Sequence, residues 1–257
     1  MLLDGLRVVL VNTRFPENVG MAVRACANMG CPELTLVTPE RWIPEKAAPL
    51  ATPKGLPLLE KVRLMGSLEE ATGDCHLIVA TSARVGGWRR AIQRPDEAAA
   101  AIRDTLARGE RAAIVFGSED RGLENGHIEH CHHIVTIPTF GASSLNLAQS
   151  VLVMLYACAG AVRRAQAGQC ACVPAAPARE DMAPGGITGA DTERLMAALK
   201  DALTRLDVLH GDNPDYFLLP WRRLFARARL RRHEYDALMG LCRQVRAKVP
   251  LKERRDE

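Results

Sequence analysis

What most constrains this chain is a recurrence. Five short, nearly all-apolar runs punctuate its first half: RVVLV at 7–11, LTLV at 34–37, LIVA at 77–80, AAIVF at 112–116 and HIVTI at 133–137. A strand that is apolar at successive positions, rather than alternate ones, is covered on both faces. Stretches of helical character lie between the runs and predict helices over 18–29, 96–107 and 144–164. Asn18 is the expected cap of the first, and Ser143 or Ser144 of the last. The alternation predicts an α/β fold, a parallel sheet with helices on both faces, with its ligand site at the C-terminal ends of the strands.

Near residue 165 the pattern stops. Residues 166–190 are rich in Ala, Pro and Gly without apolar periodicity and predict a linker between a body, 1–165, and an extension, 191–257. In the extension Leu195, Leu199, Leu203 and Leu206 stripe a helix opened by Asp191 or Thr192. Pro220 is placed to open a second helix, and Leu238, Leu241, Cys242 and Val245 stripe a third. Residues 221–257 hold twelve Lys/Arg against five Asp/Glu, a net of +7 in a chain whose total is +4, so residues 1–220 carry −3. A basic tail on a nearly neutral body points to a polyanion, most simply nucleic acid. Aromatic content of 4% argues against large base-stacking platforms. The N-terminus has no secretory leader, and the apolar run 151–162 is too short to span a bilayer, so a cytoplasmic protein with no membrane partner is expected. Eight cysteines include no C-x-x-C pair, and the CHH of 131–133 has no second cluster to complete it. Core thiols, with no metal, are the expectation.

The loop after the first run, NTRFPENVGMAVRACANMG (12–30), opens like a nucleotide site yet lacks both G-x-G-x-x-G and G-K-[ST]. This disfavours a Rossmann oxidoreductase and a phosphate loop. It carries instead Asn18, Gly20 and Arg24. Two further segments follow strands: FGSEDRGL, with Gly117, Glu119 and Gly122, and SSLNLAQS, with Ser143, Ser144, Leu145 and Asn146. Glycine permits close backbone approach, and Ser and Asn offer neutral hydrogen-bonding groups at a helix start. Singly, these are turn glycines, caps and a surface acid.

Together, N-x-G-x-x-x-R, F-G-x-E-x-x-G-L and S-L-N-L-A resemble, in order and placement, the three signature segments of the SPOUT class of RNA methyltransferases in its 2′-O-ribose branch. The resemblance spans about residues 5–165. It implies a deep trefoil knot, S-adenosylmethionine as cofactor and a homodimer in which the first motif of one subunit completes the site of the other. It places cofactor contacts on Thr81, Ser82, Ala83, Gly117, Ser143, Ser144 and Leu145, with Thr136 and Ile137 both candidates before the third motif. TSAR (81–84), ASSLNLAQSVLVMLYA and WRRLFARARL further resemble the TrmJ type of the class, which methylates nucleotide 32 of the tRNA anticodon loop and carries a helical C-terminal extension. Ser118 departs from that type, where a second basic residue is common after the Gly. The expected RNA contacts are Arg14, Arg84, Arg222, Arg223, Arg227 and Arg229.

The resemblance makes Arg24, Asn18, Ser144, Asn146 and Glu119 the catalytic candidates, with Arg24 activating the 2′-hydroxyl and Asn18 orienting it. A guanidinium has a pKa above 12, so serving as a base at pH 7 costs about 7–8 kcal/mol. A fixed cation more readily anchors a flanking phosphate or stabilises developing alkoxide. Glu119 either balances Arg24 or structures its loop. The alternatives are action on rRNA or another tRNA position, and a catalytically silent RNA-binding relative; the presence of Arg24 and Asn146 disfavours the last.

Overall fold

The computed structural model describes residues 1–83, 92–140, 144–168, 186–209, 214–228 and 230–250. The chain divides into two compact units, Met1–Pro184 and Gly185–Glu257.

In the first unit seven strands form one sheet: β1 (Leu6–Val11), β2 (Glu33–Val37), β3 (Arg63–Met65), β4 (Leu77–Thr81), β5 (Ile92–Gln93), β6 (Ala112–Phe116) and β7 (His133–Val135). Every pairing is parallel, in the order β3-β2-β1-β6-β4-β7-β5. Between β2 and β6 lies β1, paired on both edges and buried along its whole length. Its alternate side chains serve opposite cores, because successive residues of a strand point to opposite faces. Leu6, Val8 and Leu10 meet the helices α1 (Pro16–Met29), α2 (Pro44–Leu59), α4 (Pro95–Ala107) and α6 (Leu147–Gln166). Val9 and Val11 meet α3 (Leu68–Thr72) and α5 (Asn125–His130). A parallel sheet with helices on both faces is the result.

The sequence reading missed the short edge strands β3 and β5 and the helices α2, α3 and α5. In α2, Pro49, Pro53 and Pro57 argue against a helix. The chain accommodates Pro53 by a left-handed residue, Thr52 (φ 63°), which breaks the helix so that Pro53 begins a fresh turn. Two expected caps also move. Pro16 opens α1 behind Phe15, leaving Asn18 buried inside the helix rather than capping it. The cap of α6 is Asn146, whose Oδ1 accepts from the N–H of Ala148 (2.9 Å) and Gln149 (3.4 Å), and Ser144 lies outside the helix. Ser143 is outside the described residues.

The second unit holds α7 (Gly189–Arg205), α8 (Pro214–Ala228) and α9 (Arg232–Lys248) around Leu195, Met196, Leu218, Phe225, Leu230 and Tyr235. Thr188 caps α7 in a reciprocal box with Asp191, so Asp191 and Thr192 lie within the first turn and do not open it. Pro220 sits inside α8, which starts at Pro214. Leu206 and Leu241 are exposed, while Cys242 turns inward. Most of the proposed linker, residues 169–185, lies outside the described residues. Cys26, Cys31, Cys75 and Cys158 are core thiols, and burial pushes Cys75 up to about 12. His132 of the CHH run accepts the Ile78 N–H at 2.9 Å, and His130 bonds the Thr72 hydroxyl at 2.9 Å. Among the described residues, no helix is long and apolar enough to cross a membrane.

At the end of the sheet where β1, β2 and β6 begin, Arg7 is 2% exposed. It donates to Glu33 (2.8 Å), to both oxygens of Asp74 (2.7 and 2.9 Å) and to the Ala71 carbonyl (2.6 Å). Arg111 pairs with the same two carboxylates. Burial raises both acids, but the bonds from Arg7, joined at Glu33 by those from Arg111, outweigh it and hold Glu33 and Asp74 below their ordinary values of 4.5 and 3.8. Such depressed groups stabilise the fold fully above about pH 4.5, and the contribution is lost as the pH falls through their lowered values. Arg7→Met should cost about 3 kcal/mol, the low end for removing one partner of a buried ion pair because Arg111 remains. It should also flatten the loss of stability below pH 4.5, as read by urea unfolding across pH; an unchanged acid limb would remove Arg7 as its cause.

Candidate active site

The site is built where the strands end. Asn12 (φ 54°) and Thr38 (φ 42°), just after β1 and β2, both adopt left-handed backbone, and the Thr38 hydroxyl donates to Asn12 Oδ1 at 2.6 Å. Such conformations are costly away from glycine, above all for a β-branched residue. They turn the chain so that the Arg14 N–H donates to Glu119 Oε2 at 3.1 Å. The Arg14 guanidinium pairs with Glu40 and Asp120, each at 3.0 Å. Two side-chain bonds then join segments far apart in sequence. Asn18 Nδ2 donates to Glu119 Oε1 at 2.7 Å, and Asn146 Nδ2 donates to Asn18 Oδ1 at 3.1 Å. All three motifs meet in one short polar chain.

Beside it lies a cavity of about 470 Å³, walled by the end of β4 through Ala83, by 116–123, by 135–139, and by Ser144, Leu145, Leu147 and Ser150. Phe116, Val135 and Leu147 give it an apolar floor, while Ser118, Glu119, Asp120 and Arg121 add polar groups. The loop after β6 doubles back, with Gly122 (φ 67°) donating its N–H to the Ser118 carbonyl at 2.9 Å. A Cβ on Gly117 would stand 2.1 Å from the Gly122 carbonyl carbon, so no other residue fits there. Gly20 is different: a Cβ there would come 2.1 Å from the Ala47 carbonyl oxygen. Its role is the close packing of α1 on α2, not approach to a ligand. The hydroxyls of Thr81 and Thr136 donate to the carbonyls of Val115 (3.0 Å) and Ser82 (2.7 Å), so both residues shape the wall.

Residues 5–156 match the family described as the SpoU rRNA Methylase family. The chain belongs to that family. It is 32% identical over 247 residues to the tRNA (cytidine/uridine/adenosine-2′-O-)-methyltransferase TrmJ of Pseudomonas aeruginosa, covering 95% of each chain. To the tRNA (cytidine/uridine-2′-O-)-methyltransferase TrmJ of Pectobacterium atrosepticum it is 33% identical, covering 95% of this chain and 98% of that one. Its fold is shared by the crystal structure of TrmJ from Z. mobilis ZM4, with a TM-score of 0.75 at 24% identity, over 93% of this chain and 98% of that one.

In this SpoU-family chain Thr81, Ser82, Ala83, Gly117, Thr136, Ile137, Ser144 and Leu145 all line the cavity, and Glu119 stands at its polar side. Asn18 and Asn146 are not in the wall; Asn18 holds Glu119, and Asn146 in turn holds Asn18. Arg24 is exposed on α1, outside the cavity lining, and among the described residues it has no hydrogen bond or ion pair. Within the described residues Asn18 bonds Glu119 and not Arg24, and Glu119 takes its bonds from Asn18 and the Arg14 N–H rather than from Arg24. Of the expected RNA contacts, Arg14 is engaged by Glu40 and Asp120, and Arg222 is held by both oxygens of Glu193. Arg223 and Arg227 are exposed; Arg84 and Arg229 lie outside the described residues. The sequence reading did not single out Asp120 and Arg121, although both stand in the second motif. Ser150, one helical turn after Asn146, carried no signal of its own.

Asn146 has two separable duties, capping α6 and reaching Asn18. Asn146→Ala should cost about 1 kcal/mol in thermal unfolding through the lost cap. Asn146→Ser keeps a capping oxygen and should recover most of that stability without restoring the bond to Asn18. Equal losses in the two variants would show that the cap is not what Asn146 contributes to stability.

Proposed function

We propose that this chain is a 2′-O-ribose methyltransferase of tRNA that uses S-adenosylmethionine and acts at nucleotide 32 of the anticodon loop. The observation that carries the reading is the chain Asn146–Asn18–Glu119, which draws the first motif, more than a hundred residues from the other two, together with them beside one cavity. The choice of tRNA over rRNA rests on coverage. The match to the rRNA methylase family ends at residue 156, whereas relatives named for tRNA are similar over 95% of the chain, basic extension included.

The cavity suits S-adenosylmethionine. Its volume lies in the range of small-molecule sites, it has an apolar floor for adenine, and Gly117 lets backbone come close. When bound, this cofactor supplies an electrophilic methyl on a positively charged sulfur. The protein's share is alignment of the ribose oxygen with that methyl, which can provide several kcal/mol. Asn18 and Asn146 fix the loop bearing Glu119, while Ser144 and Leu145 close the wall. Arg24 anchors the phosphate beside the target ribose and stabilises negative charge developing on the 2′-oxygen. The trefoil knot belongs to the same reading, supported by the loops after β4, β6 and β7 sharing one wall.

Arg24 does this work in the cavity of a second subunit. Its exposure away from its own cavity supports a homodimer, as do Leu152, Val153 and Tyr156, which leave an apolar strip exposed on α6 beside α1. Nucleoside mass spectrometry of tRNA incubated with the enzyme and cofactor should show a new 2′-O-methyl nucleoside at position 32. Methylation of rRNA fragments but not tRNA would overturn the substrate. Arg24→Ala should abolish transfer with cofactor affinity kept within a few-fold, and loss of cofactor binding in calorimetry would contradict its assignment. Mixing Arg24→Ala with Asn146→Ala subunits should restore one working site per mixed dimer. An inactive mixture, in which native mass spectrometry confirms mixed dimers, would place Arg24 in its own subunit's site.

A further inference from the structure

The few aromatic residues of this protein are not spread evenly. Of three Trp, three Tyr and five Phe, four fall on α8: Tyr216, Phe217, Trp221 and Phe225. Phe225 turns inward with Leu218 to the core of its unit, whereas Phe217 (45%), Trp221 (40%) and Leu224 (43%) stay exposed. Residues three, four and seven apart share a helix face. Phe217, Trp221 and Leu224 therefore make one apolar strip, and Tyr216, Arg223 and Arg227 make the strip next to it. Arg222 is turned away to Glu193 of α7.

An apolar strip of this kind serves a core, another protein or the faces of bases. The core of this unit is already supplied by Leu195, Met196, Leu218, Phe225, Leu230 and Tyr235. A two-fold contact with a second copy would set like against like and bring two arginine strips together. A single-stranded nucleic acid satisfies both strips at once, since unpaired bases stack on aromatic rings while guanidinium groups take the phosphates beside them. We propose that this face of α8 is a stacking platform for unpaired RNA bases, with Trp221 as its main ring and Arg227, one turn beyond Leu224, at its edge. The proposal rests on the tRNA reading above and deepens it. The extension recognises a single-stranded loop, rather than merely neutralising phosphate. Low aromatic content overall does not prevent this, because the rings are concentrated on one helix.

The test uses the full chain and binding of a tRNA at several salt concentrations. Trp221→Leu keeps an apolar side chain on the exposed face and removes the ring. It should weaken tRNA binding about tenfold, within the range for one lost base–aromatic stack. The slope of log affinity against log salt should not change, because no phosphate contact is lost. Trp221→Phe should restore most of the affinity. Arg227→Gln should do the opposite, lowering the slope by about one. Binding of fully paired RNA should be insensitive to Trp221→Leu. Unchanged tRNA affinity in Trp221→Leu, with wild type binding normally, would overturn the platform and leave the tRNA reading intact. Wild type that binds no tRNA at any salt would overturn both. A change of oligomeric state in sedimentation, with RNA affinity unaltered, would assign the strip to a protein contact and overturn the proposal.

Discussion

Everything in the larger unit hangs on the double pairing of β1. It hydrogen-bonds to β2 on one edge and β6 on the other, and it feeds a separate core on each face. A strand in that position has no solvent-facing side, so its register is fixed by four sets of contacts at once. Sheet order diverges from it: the chain runs outward through β2 and β3, then crosses to build β4, β6 and β7 on the far side. Ligand sites of open parallel sheets form where the order reverses, at the carboxyl ends of strands. The motifs stand there because the loops leaving β1, β6 and β7 have no other place to meet.

The two ends of that sheet divide the electrostatic labour. Where the strands begin, Arg7 and Arg111 are tied to Glu33 and Asp74 in a partly buried network of ion pairs. Where they end, the acids Glu119 and Asp120 are tethered by Asn18, Ser118 and Arg14 beside an open cavity. Both are charge clusters, but the first locks strands together, and the second shapes loops a ligand can reach. Arg24 belongs to neither. Its lack of a partner within the described residues is the observation behind the proposed two-subunit site.

The strands that carry the core were legible because each is apolar at nearly every position, a pattern that a buried parallel strand requires. The edge strands β3 and β5 were not, because a strand of two or three residues, with Arg63 and Leu64 exposed in β3, presents no such pattern. Helix α2 was hidden by its prolines, of which Pro53 is accommodated by the left-handed turn at Thr52. Asn18 looked like a helix cap because Asn favours that position. Pro16 displaced it, and the side chain became free to bond across to Glu119.

By itself the sequence determined the fold class, the order of the three motifs after their strands and the basic character of the extension. These follow from local composition and periodicity, or from short segments whose spacing is a property of the chain alone. The tertiary structure decided which groups touch. Glu119 bonds Asn18 and the Arg14 amide, Asn146 both caps α6 and reaches Asn18, and Arg24 stands apart. It also turned Gly20 toward the Ala47 carbonyl and left Trp221 outside its own core. A hydrogen bond between residues 101 or 128 positions apart depends on how strands stack and loops turn, and no local pattern encodes it.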